Sequence, residues 1–310
     1  MPDWVTRKPQ SAMFYTGVSS ATKTGTSPSE YVQSAQQRAL GDLASSISVN
    51  IESSSMLSII ESNFNISENF QRDITASTSQ ELEGYELVDT WEDDYNYWVY
   101  YRLSREKYHQ IRQQKKNKAI EDAKTKYIQA QHVLSKNMHY NAFQFYSDAL
   151  ADIKIYLGES TNTKIEDNEV DLGNHIFMQI AEFLRDLNIS HPLEEIRVKR
   201  GVELNPEQLT FTVLDANNIP VSNIPFRINF TGGGLLRNSE TSGSDGKFVC
   251  AIRRVSSTKS VETLSVSVDM NGFSRMSKDP MIRNILRNMP TPEKTMRVVI
   301  EKPTVFITSD

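Results

Sequence analysis

The amino-acid sequence predicts an α+β protein with a mixed N-terminal head, a helical middle and a C-terminal β-sandwich. Three observations predict this order. In the first hundred residues, some apolar residues alternate with polar ones as in a strand, and others are three or four residues apart as in a helix. A charged segment without proline follows over residues 105–136, which is typical of a long helix. Short alternating runs separated by turn residues begin near residue 192 and indicate an antiparallel sandwich.

The length and composition of the chain allow two or three packed domains. The 310 residues are 38% hydrophobic and 24% charged, which is enough for ordinary cores. Domains usually contain about 100–150 residues. We therefore predict a head over 1–105, a helical hairpin region over 106–190, a sandwich over 191–303, and a tail or further domain starting at 304–310.

The head is predicted to begin with a strand over 12–19 and a helix. Ser27, Pro28 and Glu30 have the spacing of a helix-starting capping box. The apolar stripe of the helix contains small alanines, which would let it lie close to a sheet. Its members are Val32, Ala35, Ala39, Leu43 and Ile47.

The rest of the head is predicted as a strand over 47–51, a helix over 67–82 and a β-hairpin. The hairpin has arms over 85–91 and 95–103, with Asp93 and Asp94 at its turn. The predicted order of the whole head is therefore β-α-β-(α)-β-β.

The second hairpin arm is the best candidate for a binding surface, because it is dense in tyrosine and tryptophan. Because successive side chains of a strand point to opposite faces, this two-residue period assigns one set to the core-facing side: Tyr97, Val99, Tyr101 and Leu103. It leaves Trp98 and Tyr100 as the candidate contact residues, since exposed aromatic rings stack on sugars or anchor partners. The alternative is that half of these aromatic residues line the core under the helices.

The middle region is predicted to be a helical hairpin followed by a third helix. Residues 139–157 form the predicted partner of 105–136, and Ala142, Tyr146 and Ala149 have a spacing similar to that of a tetratricopeptide hairpin. One hairpin is not a repeat array. A polar loop is predicted over 159–170. The third helix is defined by Leu172, Ile176, Ile180, Phe183 and Leu187.

The C-terminal part is predicted to consist of short antiparallel strands, with a short helix over 279–288 before the last of them. The strands are predicted over 209–214, 224–230, 248–252, 261–270 and 296–300. Residues 304–310 are apolar and strand-like, so we expect that the natural chain continues past Asp310.

We find no sequence pattern for catalysis or for a metal or cofactor site. The histidines lack metal-ligand spacing, and the single cysteine, Cys250, lies in an apolar run that predicts burial. We therefore predict no enzyme activity, no catalytic residue, no metal and no cofactor. Next to Glu92, Asp93 and Asp94 more simply form a turn, and a weak calcium site there is the alternative. The five histidines are His109, His132, His139, His175 and His191.

The charge distribution argues against a nucleic-acid partner. The net charge is −5, whereas nucleic-acid binding usually needs a basic face. The basic run at 112–118 is interpreted as a solvated helix face, with contact to anionic lipid or an acidic protein as the alternative. No stretch reaches the ~20 apolar residues of a membrane span. The first residues lack a signal-peptide pattern, which favours a cytoplasmic protein or a mature chain.

Several short motifs of the head carry a family resemblance. They are Trp4-Val5 with Pro9, Phe14-Tyr-Thr-Gly-Val18, Ala35-Gln-Gln-Arg-Ala39 with Leu43, Ile47-Ser-Val49, Leu82-Glu-Gly84, Thr90-Trp-Glu92 and Tyr97-Trp-Val-Tyr-Tyr-Arg-Leu103. Over residues 3–110 the chain resembles the Lpp-twenty outer-membrane lipoprotein family, and it is also similar to the N-terminal domain of flagellar assembly protein T. The resemblance implies an exported protein of a Gram-negative envelope, periplasmic or outer-membrane associated, with no known enzymatic role. It also implies membrane contact only through an N-terminal lipid anchor, whose cysteine this sequence does not carry.

A second resemblance concerns the C-terminal part. Its motifs are Val213-Leu-Asp215, Ile219-Pro-Val221, Ile224-Pro-Phe226, Gly234-Leu235, and Thr241 through Asp245-Gly246-Lys247. They resemble bacterial immunoglobulin-like domains, which implies a spacer or adhesion module.

Three functional hypotheses follow. The leading hypothesis is a non-catalytic cell-envelope scaffold or assembly module whose partners are other envelope proteins. The alternative is a surface carbohydrate-binding protein that uses the aromatic residues of 95–101. A cytoplasmic protein is the third.

Overall fold

The computed structural model describes residues 1–23, 27–47, 68, 82–202, 204 and 206–301. The protein is a mixture of helix and sheet, 39% helical and 32% strand, which confirms the α+β class. The predicted strand over 47–51, the helix over 67–82 and the tail 304–310 lie outside the described residues, apart from Ile47, Glu68 and Leu82.

The chain forms two compact units. The first contains Met1–Asp122 and Ile153–Asp171, and the second contains Ala123–Asp152 and Leu172–Asp310. The boundaries of these units do not coincide with the residues at which the apolar spacing changes from helical to alternating. The predicted division at residues 105, 190 and 303 stays a prediction.

The first unit contains a small antiparallel sheet with a helix on one side. Its elements are α1 (Asp3–Thr6), β1 (Phe14–Thr22), α2 (Pro28–Ser45), β2 (Glu86–Glu92) and β3 (Asn96–Ser104). The strand order is β1-β3-β2, so β3 is the central strand. The short helix α1 was not predicted.

Helix α2 packs on the sheet as its alanine stripe predicts. Ala35, Ala39 and Leu43 are fully buried and share one core cluster with Val99 and Leu103 of β3. The predicted capping box is also present: the backbone N–H of Ser27 donates to the Glu30 carboxylate at 3.1 Å. The hydrogen bonds of the capping box therefore determine where α2 begins, and small side chains set the distance between α2 and the sheet.

The β2–β3 hairpin is confirmed, and Asp93 forms its turn. One carboxylate oxygen of Asp93 accepts the backbone N–H groups of Tyr95 at 2.8 Å and Asn96 at 2.7 Å. These hydrogen bonds lower the pKa of Asp93, because they favour its ionised form.

A long helix and a second hairpin complete the first unit. The helix α3 (Arg105–Leu134) contributes its first part here. The polar loop predicted over 159–170 is wrong in part, because β4 (Asn162–Ile165) pairs with β5 (Asn168–Asp171). Strands this short and polar show little alternation, and Glu166 makes their turn possible by adopting a positive φ of 54°. A 3₁₀ helix over Lys154–Tyr156 precedes them.

The second unit contains the end of the first predicted middle helix and the whole of the other two. The end of α3 joins α4 (His139–Asp152) and α5 (Leu172–Asp186). Ala142, Tyr146 and Ala149 are all fully buried, as the hairpin requires. Gln131 of α3 donates to the Tyr146 hydroxyl at 2.7 Å. The likeness to tetratricopeptide repeats stays a prediction.

The described strands of the second unit form three sheets. Strand order is β11-β9-β14-β15-β7 in the largest sheet, β12-β8-β6 in the second and β10-β13 in the third. All pairs are antiparallel except β15 with β7, which is parallel. The strands are β6 (Asn188–Ser190), β7 (Glu195–Lys199), β8 (Thr210–Leu214), β9 (Pro225–Phe230), β10 (Gly233–Leu235), β11 (Ser239–Thr241), β12 (Lys247–Val249), β13 (Ile252–Val255), β14 (Val261–Val268) and β15 (Glu293–Glu301).

Two predictions for this part need correction. The single strand expected over 248–252 is divided into β12 and β13, which belong to different sheets. The division falls at Cys250 and Ala251, whose backbone groups bond to Leu209 and Leu236 outside either ladder. The strand expected to reach residue 270 ends at Val268, because Asp269 caps a short helix, α6 (Met270–Ser274). The helix predicted over 279–288 is confirmed as α7 (Pro280–Arg287). A 3₁₀ helix over Pro206–Leu209 and the strands β6, β7, β10 and β11 were not predicted.

Aromatic rings join the two larger sheets of this unit. Phe226 of β9 stacks on Phe248 of β12 with ring centroids 4.3 Å apart and planes within 6°. Phe143 of α4 also contacts Phe273 of α6, at 5.4 Å, so helices on the N-terminal side of residue 190 share buried contacts with the strand-rich part. Cys250 is fully buried, as predicted. The immunoglobulin-like arrangement stays a prediction.

Candidate functional site: the outer face of the N-terminal sheet

The two predicted contact residues lie on the side of the sheet that faces away from α2. Val99, Tyr101 and Leu103 are buried against the helix, as period two predicts. Trp98 and Tyr100 alternate with them on the opposite face and are half-buried. The outer face is defined here by the outward residues Trp91, Trp98, Tyr100, Val18 and Ser20, together with Trp4 of α1. Binding by Trp98 and Tyr100 stays a prediction.

All three tryptophans of the chain meet on this outer face. Trp91 of β2 lies directly opposite Trp98 of β3 in the strand register. Trp4 contacts Tyr100 with ring centroids 5.7 Å apart, and its indole N–H donates to Asp89 at 3.0 Å. The Trp4 contact could not be predicted from the sequence, because it depends on where α1 lies in the folded chain.

Trp98 has a polar group without a partner. Its indole nitrogen is shielded from solvent and makes no hydrogen bond to the described residues. Leaving a buried donor unpaired costs about 1–3 kcal/mol. Within the described residues Trp98 therefore contributes its aromatic surface and no side-chain hydrogen bond.

The charges around the aromatic centre are paired with one another. Arg102 binds Glu86 through two hydrogen bonds of 3.0 and 3.1 Å, and its guanidinium lies 4.9 Å from the Phe14 ring centroid. Lys23 lies 2.9 Å from Glu92, and the hydrogen bond to that carboxylate raises the pKa of Lys23. An aromatic centre with paired charges at its rim is the usual anatomy of a protein contact surface.

The acidic run next to this face is used for structure. Glu92 is paired with Lys23, and Asp93 accepts the two turn N–H groups described above. Within the described residues, no three histidine, cysteine, aspartate or glutamate side chains are placed to hold a metal ion. The predictions about metals and cofactors stay predictions.

The structure does bring together one pair of residues that the sequence analysis missed. His139 at the start of α4 lies 3.6 Å from Asp215 at the end of β8, and both line a cavity in the second unit. The spacing of the histidines in the sequence predicts no site, and the pair was not predicted. The only sequence signal was Asp215 in an Asp-Ala-Asn-Asn turn, and nothing in the sequence connects that turn with His139.

The other four histidines are held by ordinary contacts or lie on helix surfaces. His175 hydrogen-bonds the Tyr127 hydroxyl at 3.0 Å, and His191 lies between the carbonyl oxygens of Leu193 and Gln208. His109 and His132 are both exposed residues of α3. None of these four was predicted to bind a ligand.

These observations define the first unit as a small α+β domain with aromatic residues on the outer face of its sheet. Residues 2–104 match the model of the LPP20 lipoprotein family, which confirms the predicted identity of the first domain. The match ends at Ser104, the last residue of β3. No curated protein matches the chain. No helix in the described part of the chain has both the length and the hydrophobicity needed to cross a bilayer.

Proposed function

We propose that the protein is a non-catalytic component of the Gram-negative cell envelope that acts as a scaffold or assembly module for other envelope proteins. The observation that carries this proposal is the set of three tryptophans and Tyr100 on one sheet face, within a domain that matches a lipoprotein family. A few residues carry most of the binding energy of a protein interface, and tryptophan and tyrosine are enriched among them. The outer face is the proposed contact surface.

The second unit has a supporting role in this proposal. Its strand-rich part acts as an immunoglobulin-like spacer or second contact, and the α3–α4 pair acts as a tetratricopeptide-like helical hairpin. The Phe226–Phe248 stack between two sheets supports a sandwich. Neither nucleic acid nor a cofactor is part of the proposed function, and the membrane is contacted only through an N-terminal lipid anchor.

The test is photo-crosslinking in cells that express the gene with its natural ends. A photoreactive amino acid at Ser20, opposite Trp98 in the register, samples the outer face. The same probe at Leu236, which is 63% exposed in the second unit, is the positional control. We expect a discrete envelope-protein adduct from position 20 that differs from any adduct at position 236.

The double variant Trp98→Ala/Tyr100→Ala should abolish the adduct at position 20. Tyr95→Ala is the matched control, because Tyr95 is an aromatic residue of the same hairpin that is 71% exposed at its turn. Cell fractionation of the same strain reports the compartment. No adduct from position 20, an adduct that survives the double variant, or a cytoplasmic protein would contradict the proposal.

A second candidate function is carbohydrate binding at the same face. The specific observation in its favour is that Trp91 and Trp98 are adjacent across β2 and β3 and both are half-buried, which leaves part of each ring open. Because all three tryptophans are on this face, a bound sugar would change the intrinsic tryptophan emission. Titration with N-acetylglucosamine oligosaccharides tests this, and a saturable change that is lost in Trp98→Ala would favour the carbohydrate function over the scaffold.

A further inference from the structure

The second unit contains a cavity of about 370 Å³ between α4, α5 and the turn that follows β8. Its lining includes three carboxylates, those of Glu182, Asp186 and Asp215, and no lysine or arginine. Glu182 and Asp186 are four residues apart on α5 and so lie on one face of the helix. The cavity therefore concentrates negative charge in a place where water is partly excluded.

Aromatic rings form the wall of the same cavity. Phe143 and Phe183 have ring centroids 4.6 Å apart, and Phe143 and Tyr146 have centroids 6.3 Å apart. The faces of such rings attract cations, and the attraction is stronger where water is excluded. Gln131 holds Tyr146 in place through its hydroxyl.

Asp215 is fixed by its own turn. One of its carboxylate oxygens accepts the backbone N–H groups of Asn217 at 2.8 Å and Ile219 at 2.9 Å. The other carboxylate oxygen faces His139 Nε2 at 3.6 Å, beyond a normal hydrogen bond. Asp215 is thus pre-oriented, and its second oxygen has capacity for a stronger donor.

His139 does not neutralise this charge. Its side chain is only 3% exposed, and burial lowers the pKa of His139 against the opposing effects of Asp215 and the Asn137 carbonyl. The ring is therefore uncharged near neutral pH. Its Nδ1 atom is shielded and makes no hydrogen bond to the described residues. His139 lines the cavity beside Asp215, so it adds a buried polar ring to the aromatic wall that a cationic group would meet.

We propose that this cavity binds an organic cation, with an ammonium or guanidinium group placed between the Asp215 and Glu182 carboxylates and against the Phe183 ring. Asp186 at the rim is already paired with Arg185, so it would assist entry more than binding. An organic cation fits better than a metal ion, because no three metal-ligating side chains converge anywhere in the described residues. The two sources of such a group are a free amine and a basic side chain of a protein.

The test uses the full chain and isothermal titration calorimetry with two probes, putrescine and N-acetyl-arginine amide. N-acetyl-leucine amide is the uncharged control. We expect saturable binding of at least one cationic probe and none of the control. Tighter binding of putrescine identifies a free amine as the source, and tighter binding of the arginine derivative identifies a protein side chain.

Three variants separate a site from general electrostatic attraction. Glu182→Gln should weaken binding about tenfold, because it removes a charge that faces the ligand. Phe183→Leu should weaken it about threefold to tenfold by removing the ring. Glu293→Gln removes the same charge from an exposed position on β15 and should leave binding unchanged.

Two results would overturn the proposal: the absence of binding by either probe to the folded wild-type chain, or equal weakening by Glu182→Gln and Glu293→Gln. Circular dichroism of each variant shows that the chain is folded. The outcome is independent of the contact surface proposed above, because the cavity and the outer face belong to different units.

Discussion

Gly17 of β1 faces Leu43 of α2 so closely that a β-carbon at residue 17 would lie 2.6 Å from the Leu43 β-carbon and against the Ala39 carbonyl oxygen. The contact explains why the small residues Gly17 and Ala39 occur on facing elements. Helix and sheet can touch at backbone distance only where neither carries a larger side chain.

The first prediction is that Gly17→Ala destabilises the first unit by about 1–3 kcal/mol, because the helix must move away from the sheet. Gly41→Ala is the matched control, since no atom lies within 4 Å of a β-carbon there. That control lies in α2 and should stabilise the unit by about 0.5–1 kcal/mol. Urea unfolding followed by tryptophan emission measures both, and equal effects would disprove the close packing.

The second prediction concerns the salt bridge that joins α3 to Glu159, which lies between the 3₁₀ helix Lys154–Tyr156 and β4. Glu159 accepts hydrogen bonds from Arg112 and from Lys116, the latter at 3.0 Å, and all three side chains are mostly buried. Burial alone would raise the pKa of Glu159, but the two cations outweigh it and hold the pKa below its ordinary value. The unfolded chain therefore binds this proton more readily than the folded chain does.

The stabilisation is accordingly present above the unfolded pKa of about 4.3 and is lost as the pH falls through the lower folded pKa. Glu159→Gln should cost about 2 kcal/mol at pH 7 and make stability less dependent on pH in the acid range. Glu83→Gln is the control, because Glu83 pairs with Lys115 of the same helix but is 60% exposed. Loss of this exposed ion pair should lower the free energy of unfolding by no more than about 1 kcal/mol. An acid transition unchanged by Glu159→Gln would contradict this account.

The third prediction is that Ala142→Leu destabilises the second unit by about 1–3 kcal/mol through overpacking, because Ala142 is fully buried. Asn141→Leu adds similar bulk at the adjacent exposed position and should have little effect. Thermal unfolding by circular dichroism compares the two variants. Equal melting temperatures would show that α4 is not packed at Ala142.

The fourth prediction is that Cys250 does not react with thiol reagents while the second unit is folded. The side chain is fully buried, and burial raises the pKa of Cys250 to about 12, so almost no thiolate forms near neutral pH. Labelling should require denaturant. Leu236→Cys in a Cys250→Ala background is the exposed control and should react at once. Fast labelling of the native wild-type protein would show that the unit opens readily.

Local chemistry explains which parts of the fold could be predicted. The capping box at Ser27 and Glu30, the turn at Asp93 and the outward position of Trp98 each depend on residues close in sequence. The division between β12 and β13 could not be predicted, because it depends on which distant strand each half meets. The same reason applies to the candidate sites: period two located Trp98 and Tyr100, but Trp4 and the His139–Asp215 pair are brought into place only by tertiary structure.

The parallel pairing of β7 with β15 has a mechanical consequence. Five residue pairs, from Glu195 with Arg297 to Lys199 with Glu301, hold the two strands side by side. Because the strands run in the same direction, a pull applied between Glu195 and Glu301 would act along the ladder and strain all of its hydrogen bonds at once. An antiparallel hairpin pulled at its open end would instead unzip one bond at a time. The second unit would thus resist tension along this line better than a hairpin of equal length.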